Sequence, residues 1–176
     1  MRAKARLLGH PIHQMLIVFP LGLLATSFLF DLAHLRHGNP EWGNIAYWLI
    51  AVGVVSGLVA AVFGLIDFLA IPPGTRARRI GLLHGGGNVV VVGLFVASWV
   101  ARRGDPGMPG GFAIGLSAAA VALALVTGWL GGELVDRLGV GVDDGANLDA
   151  PNSLSGRSTL GGLGRRRSAR GEIGAP

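Results

Sequence analysis

His10, His13, Asp67, His84 and Glu133 are the residues with the most chemistry to offer in this 176-residue chain. Imidazole and carboxylate together make a ligand set for zinc, iron or copper. Two imidazoles from different helices, among His10, His13 and His84, can instead ligate a haem, since helix bundles hold cofactors between facing helices. His10 and His13 are three apart, so if helical they share a face, as do His84 and Asn88 four apart. The chain has no cysteine. Disulfides, thiolate metal sites and cysteine-ligated iron–sulfur clusters are therefore excluded.

Whether these five residues can meet depends on the elements that carry them. Hydrophobic residues make up 51% of the chain and charged residues only 14%, against about 25% charged in a typical soluble domain. The charges sit in short blocks between long stretches almost free of them, the distribution a membrane protein needs because an ion in hydrocarbon is costly. Four apolar segments follow, at about 11–35, 44–71, 80–101 and 112–134. Each is long enough to cross about 30 Å of hydrocarbon. Unbroken apolar runs exclude a membrane barrel, whose strands would alternate. The expected fold is all-α, a four-transmembrane-helix bundle over residues 1–144. Pro11 suits a first helical turn, and Pro20 predicts a kink in segment one. Asn39-Pro40 and Pro72-Pro73-Gly74 read as turns. From Asp143 the composition turns to Gly, Ser, Asn and Arg, and 145–176 reads as a disordered basic tail on the cytoplasmic side. Its Arg165-Arg166-Arg167 and Arg170 read first as solvated charge, with contact to anionic lipid as the second reading.

Four crossings put the N-terminus, the loop between segments two and three, and the C-terminus on one side. Of the 15 Lys and Arg residues, only Arg36, Arg102 and Arg103 fall on the other side. By the positive-inside rule both termini are cytoplasmic, in a multi-pass protein of a bacterial inner membrane. All five candidate ligands then lie toward the cytoplasmic face, drawn from all four helices. Asp31, His34 and His37 lie toward the opposite face, where Asp31 is expected to bond His34 or a loop. Gly53, Gly57, Ala60, Gly64 and Asp67 recur at steps of four and three and mark one face of segment two for close packing. Gly81 and Gly85, and Gly128 and Gly132, repeat the spacing in segments three and four.

The same polar residues admit other readings. They form a structural network if His84 bonds Asp67, Asp67 pairs with Arg76, Arg78 or Arg79, and Glu133 pairs with Arg137. They form a proton path if the protein is a proton-linked permease, which with four helices would need a homo-oligomer. Gly85-Gly86-Gly87 follows no strand and makes no phosphate loop. No Ser–His–Asp arrangement is legible, and enzymatic activity stays open. The net charge of +5 flanks apolar segments, so topology and the lipid bilayer account for it and nucleic acid does not.

The chain resembles the bacterial membrane family called domain of unknown function 2231. The resemblance rests on Gly9-His10-Pro11-Ile12-His13, Phe19-Pro20-Leu21-Gly22, Asp31-Leu32, Gly64-Leu65-Ile66-Asp67 and His84. It also rests on Gly128 to Val135, running into Gly139-Val140-Gly141-Val142. Together these cover about residues 7 to 144. Gln14 departs from the pattern, where such proteins often have Pro, as does Asp136, where Tyr is common. The resemblance implies a four-helix membrane module without an assigned activity. Some members are fused to Rieske-type iron–sulfur domains, which implies a redox neighbourhood. The expected function is thus a metal or haem site near the cytoplasmic face working with a membrane redox partner. The alternatives are a structural or partner-binding module and the permease. The even number of crossings is testable directly: single-cysteine probes at positions 10 and 84 should react with impermeant reagent from the same membrane surface.

Overall fold

In hydrocarbon a helix satisfies its backbone groups within one segment, and this dictates how the four apolar runs fold. The computed structural model describes residues 1–157 and Thr159. The elements are β1 (Arg6–Leu7), β2 (His10–Pro11), α1 (Ile12–Leu16), α2 (Val18–His37), α3 (Pro40–Leu69), α4 (Arg76–Ala101) and α5 (Gly111–Gly132). A π-helical turn, Glu133–Arg137, follows α5. Four spans are long and apolar enough to cross a membrane: Ile12–His37, Pro40–Leu69, Arg76–Ala101 and Gly111–Arg137. Their outward faces carry large apolar side chains such as Trp48, Val89 and Leu125, an arrangement suited to lipid and unsuited to water.

Local chemistry sets the helix ends. Pro20 has no N–H for the Leu16 carbonyl, and the first span breaks at Ile17 between α1 and α2. Asn39-Pro40 is part of a helix start: the Asn39 side chain accepts from the Glu41 N–H and Pro40 opens α3. Segment two therefore begins before Asn44. Thr75 likewise caps α4 by accepting from the Arg78 N–H, so segment three begins at Arg76 and not at Ile80.

The helices pair as two antiparallel hairpins, α2 with α3 and α4 with α5, which pack on each other. Leu24, Ile50, Val91, Phe95 and Ala120 form the apolar centre. Of the predicted packing stripe, Gly53 lies against Leu24, Gly57 against Pro20, and Gly64 against the His13 ring. In the second hairpin Gly81, as expected, lies against Phe68, where a Cβ would stand 3.0 Å from the ring, and the other close approaches are made by glycines outside the predicted set. A Cβ on Gly87 would stand 2.5 Å from Thr127 and one on Gly131 3.1 Å from His84, whereas Gly85, Gly128 and Gly132 have nothing within 4 Å among the described residues. A small-residue spacing fixes a face but not which face meets the neighbour.

The end away from Met1 and residues 139–143 is locked by a buried ion pair. Arg102 donates to both carboxylate oxygens of Asp31, at 2.7 and 3.0 Å. The two side chains are wholly buried. Arg102 also donates to Ser98 and Ser117, and the Ser98 hydroxyl donates to the Ala113 carbonyl. The network joins α2, α4 and α5. Of the expected partners for Asp31, His34 is corrected, and the bond goes to the turn that follows α4. His34 instead donates to the Asn39 carbonyl. The correction has a topological cause, because α4 ends beside the last turns of α2. Removing one member of a buried pair leaves an uncompensated charge. Arg102→Ala should therefore lower stability by about 3–5 kcal/mol in reversible unfolding from mixed micelles, and Asp31→Leu with Arg102→Met should recover most of that loss.

Candidate functional site

Two histidines meet the helix backbone at the end of the bundle that holds the chain's N-terminus and residues 139–143. The His13 Nδ1–H donates to the Ala60 carbonyl of α3 at 2.9 Å, with its ring lying on Gly64. The His84 Nδ1–H donates to the Thr127 carbonyl of α5 at 2.8 Å, with its ring lying on Gly131. A carbonyl oxygen only accepts, so in each neutral ring Nδ1 carries the proton and Nε2 is the acceptor; at His84 the Asn88 amide nitrogen stands 3.4 Å from that Nε2. Asn88 holds the second histidine's turn by donating to the His84 carbonyl at 2.9 Å, and the Thr127 hydroxyl donates to the Asn88 side-chain oxygen at 3.1 Å.

The other three candidate ligands lie at the same end but have different partners. His10 belongs to β2, not to a helix, so it shares no helix face with His13, and its exposed ring bonds the Leu8 carbonyl. Asp67 accepts the backbone N–H of Lys4 at 2.6 Å and of Ala5 at 3.0 Å through one oxygen. It does not pair with Arg76, Arg78 or Arg79. Arg78 donates to the Phe68 and Ile71 carbonyls at the end of α3 and stacks over Phe68. Glu133 pairs with Arg76 at 2.6 Å across the bundle, not with Arg137 along its own turn. Among the described residues, no group of three or more His, Asp or Glu is placed to hold a metal ion.

A family model described as a predicted membrane protein of unknown function, number 2231, matches residues 9–144. The chain belongs to that family. No curated protein and no solved structure matches it. Family membership thus agrees with the four apolar spans and assigns no chemistry to them.

Sequence reasoning missed Thr127, the Ala60 carbonyl and the N-terminal hairpin. Thr127 had a faint signal as the single polar, non-glycine residue in the last two turns of α5. The hairpin had almost none, because its turn places Leu8 at φ 50° beside Gly9 at φ 89°. Both φ values are positive, as a type I′ turn requires, and leucine is a poor marker for that conformation.

The N-terminal segment is held down by further polar contacts. The Gly141 N–H donates to the Met1 carbonyl at 2.9 Å. Arg2 and Arg6 both pair with Asp143, at 2.7 and 2.8 Å. The Arg6 hydrogen bond, opposed in part by burial and helped by Arg2, holds the Asp143 carboxyl below its ordinary 3.8. A depressed carboxyl pKa contributes stability that is complete above the ordinary value and is lost as pH falls through the folded one. Amide-exchange protection of residues 2–6, corrected for intrinsic rates, should thus stay flat from about pH 8 to 5 and fall only in strong acid. Asp143→Asn should abolish that acid step.

Proposed function

We propose that this membrane protein holds a transition-metal ion or a haem iron between His13 and His84 and passes electrons to a membrane redox partner. The observation that carries this reading is the shared tautomer of the two rings. Each Nδ1–H is committed to a backbone carbonyl, which orients the ring with Nε2 as its acceptor atom, and at His84 a metal would replace the Asn88 amide that stands 3.4 Å from Nε2. Metal-bound imidazoles are held in this way. Two imidazoles suffice for axial ligation of a haem. A bare zinc, copper or iron ion needs further donors. His10, Asp67 and Glu133 stand at the same end and would join the ligand set on leaving their present partners. The asymmetry of Lys and Arg supports a cytoplasmic placement of this end, in a bacterial inner membrane. The redox neighbourhood implied by the family resemblance supports the same reading.

A structural reading has its own support. Asp67 and Glu133 are already satisfied within the protein, as they would be if the polar layer only tied the helices together. The two readings separate cleanly. Protein expressed with adequate iron, copper, zinc and haem and purified in mild detergent should carry about one equivalent of metal or show a Soret band. His13→Ala and His84→Ala should each reduce that content by about tenfold or more. Wild-type protein with neither metal nor Soret band overturns the proposal. Variants that lose only thermal stability, by about 1–3 kcal/mol, select the structural module.

A further inference from the structure

The first eleven residues join the end of α3 at Asp67 to the Gly139–Asp143 loop, at the end of the bundle that holds His13 and His84. One anchor is Asp67, three residues from Gly64, on which His13 lies. From there the chain reaches Gly139–Asp143, which follow the π-helical turn beginning two residues after Gly131, on which His84 lies. At that second anchor the Gly141 N–H holds the Met1 carbonyl, and Asp143 holds Arg2 and Arg6. Ala3, between the anchors, is only 6% exposed. The Ile12 N–H donates to the Ala5 carbonyl, so the segment folds back on the start of the first span. Gly141 has φ 85°, and a Cβ there would stand 2.5 Å from the Gln14 amide. The segment, α1 and the 139–143 loop are therefore in direct contact.

We propose that residues 1–11 form a strap that closes the histidine layer from the aqueous side, with Asp67 and Asp143 as its two latches. The proposal rests on reading that layer as a ligand-binding centre, and adds how the centre is reached. The latches differ in kind. Asp67 projects from a membrane-spanning helix and captures two successive backbone N–H groups, so it recognises the strap's path and not its side chains. Asp143 captures two guanidinium groups in a partly exposed setting, where solvent weakens the pair. Asp143 is the weaker latch and the one that opens first. Opening there releases the Arg2 and Arg6 side chains from Asp143 while Asp67 keeps Lys4 and Ala5, between them, in place. The strap then moves as a hinged flap.

The chain has no cysteine, so an introduced thiol reports access without background. The full chain carrying His84→Cys should react slowly with a small polar maleimide. Adding Asp143→Asn, or separately Asp67→Asn, should speed that reaction by about tenfold or more, as the open population grows. Ala120→Cys, in the apolar centre, should stay unreactive in the same backgrounds. An unchanged rate at position 84 overturns the strap, and so does a parallel rise at position 120, which would mean general loosening. Metal uptake is read separately, in protein retaining His84. If the layer binds metal, Asp143→Asn should load zinc or copper ions faster to the same final content. A thiol rate that rises in protein that takes up neither metal nor haem keeps the strap and removes the ligand reading.

Discussion

Hydrocarbon offers no hydrogen bonds, so every polar group carried into the membrane must find its partner within the protein. This constraint organises the whole molecule. It makes the apolar runs helical, and it gathers two layers of polar side chains on either side of the centre formed by Leu24, Ile50, Val91, Phe95 and Ala120, while Ser27 and Ser56 bond carbonyls of their own helices. One layer is Asp31, Arg102, Ser98 and Ser117, in which charge meets charge and each serine hydroxyl is engaged. The other is His13, His84, Asn88 and Thr127, in which rings meet helix carbonyls.

The two layers differ in what they leave over. In the Asp31–Arg102 layer both carboxylate oxygens accept from the guanidinium, and the pair's neutrality makes its burial tolerable. That end is suited to holding three helices in one register. In the histidine layer each ring spends Nδ1 on the backbone, and the His84 Nε2 faces the Asn88 amide at 3.4 Å. An imidazole oriented through Nδ1 is the form a metal ligand takes, and the proposed chemistry rests on this end alone.

Glycine makes both layers possible. Gly64 and Gly131 give the imidazoles flat seats against the helices whose carbonyls they bond, and Gly87 lets Thr127 come close enough to reach Asn88. The strap uses backbone as well, since Asp67 and the Gly139–Asp143 loop grip its main chain in addition to the Arg2 and Arg6 side chains. Shape, then, carries as much of this architecture as side-chain identity.

Much of this was legible before folding. The four spans follow from apolar length alone, and the even number of crossings follows from them, placing His13, His84, Asp67 and Glu133 at one end. The glycine face of the second span was readable because its steps of four and three have a single helical phase. Partner choice was not readable. Asp31 and Arg102 lie far apart in the chain, and nothing local says that the end of α4 packs beside α2. Asp67 looked like a ligand or an arginine's partner, yet it holds a backbone segment that any sequence could supply. The His13 and His84 bonds end on carbonyls, which every residue has and no residue type advertises. Sequence alone determined the number and approximate extent of the spans, because hydropathy acts along the chain. Tertiary structure alone decided which polar groups meet, because that depends on helix rotation and on contacts between residues that the chain keeps far apart.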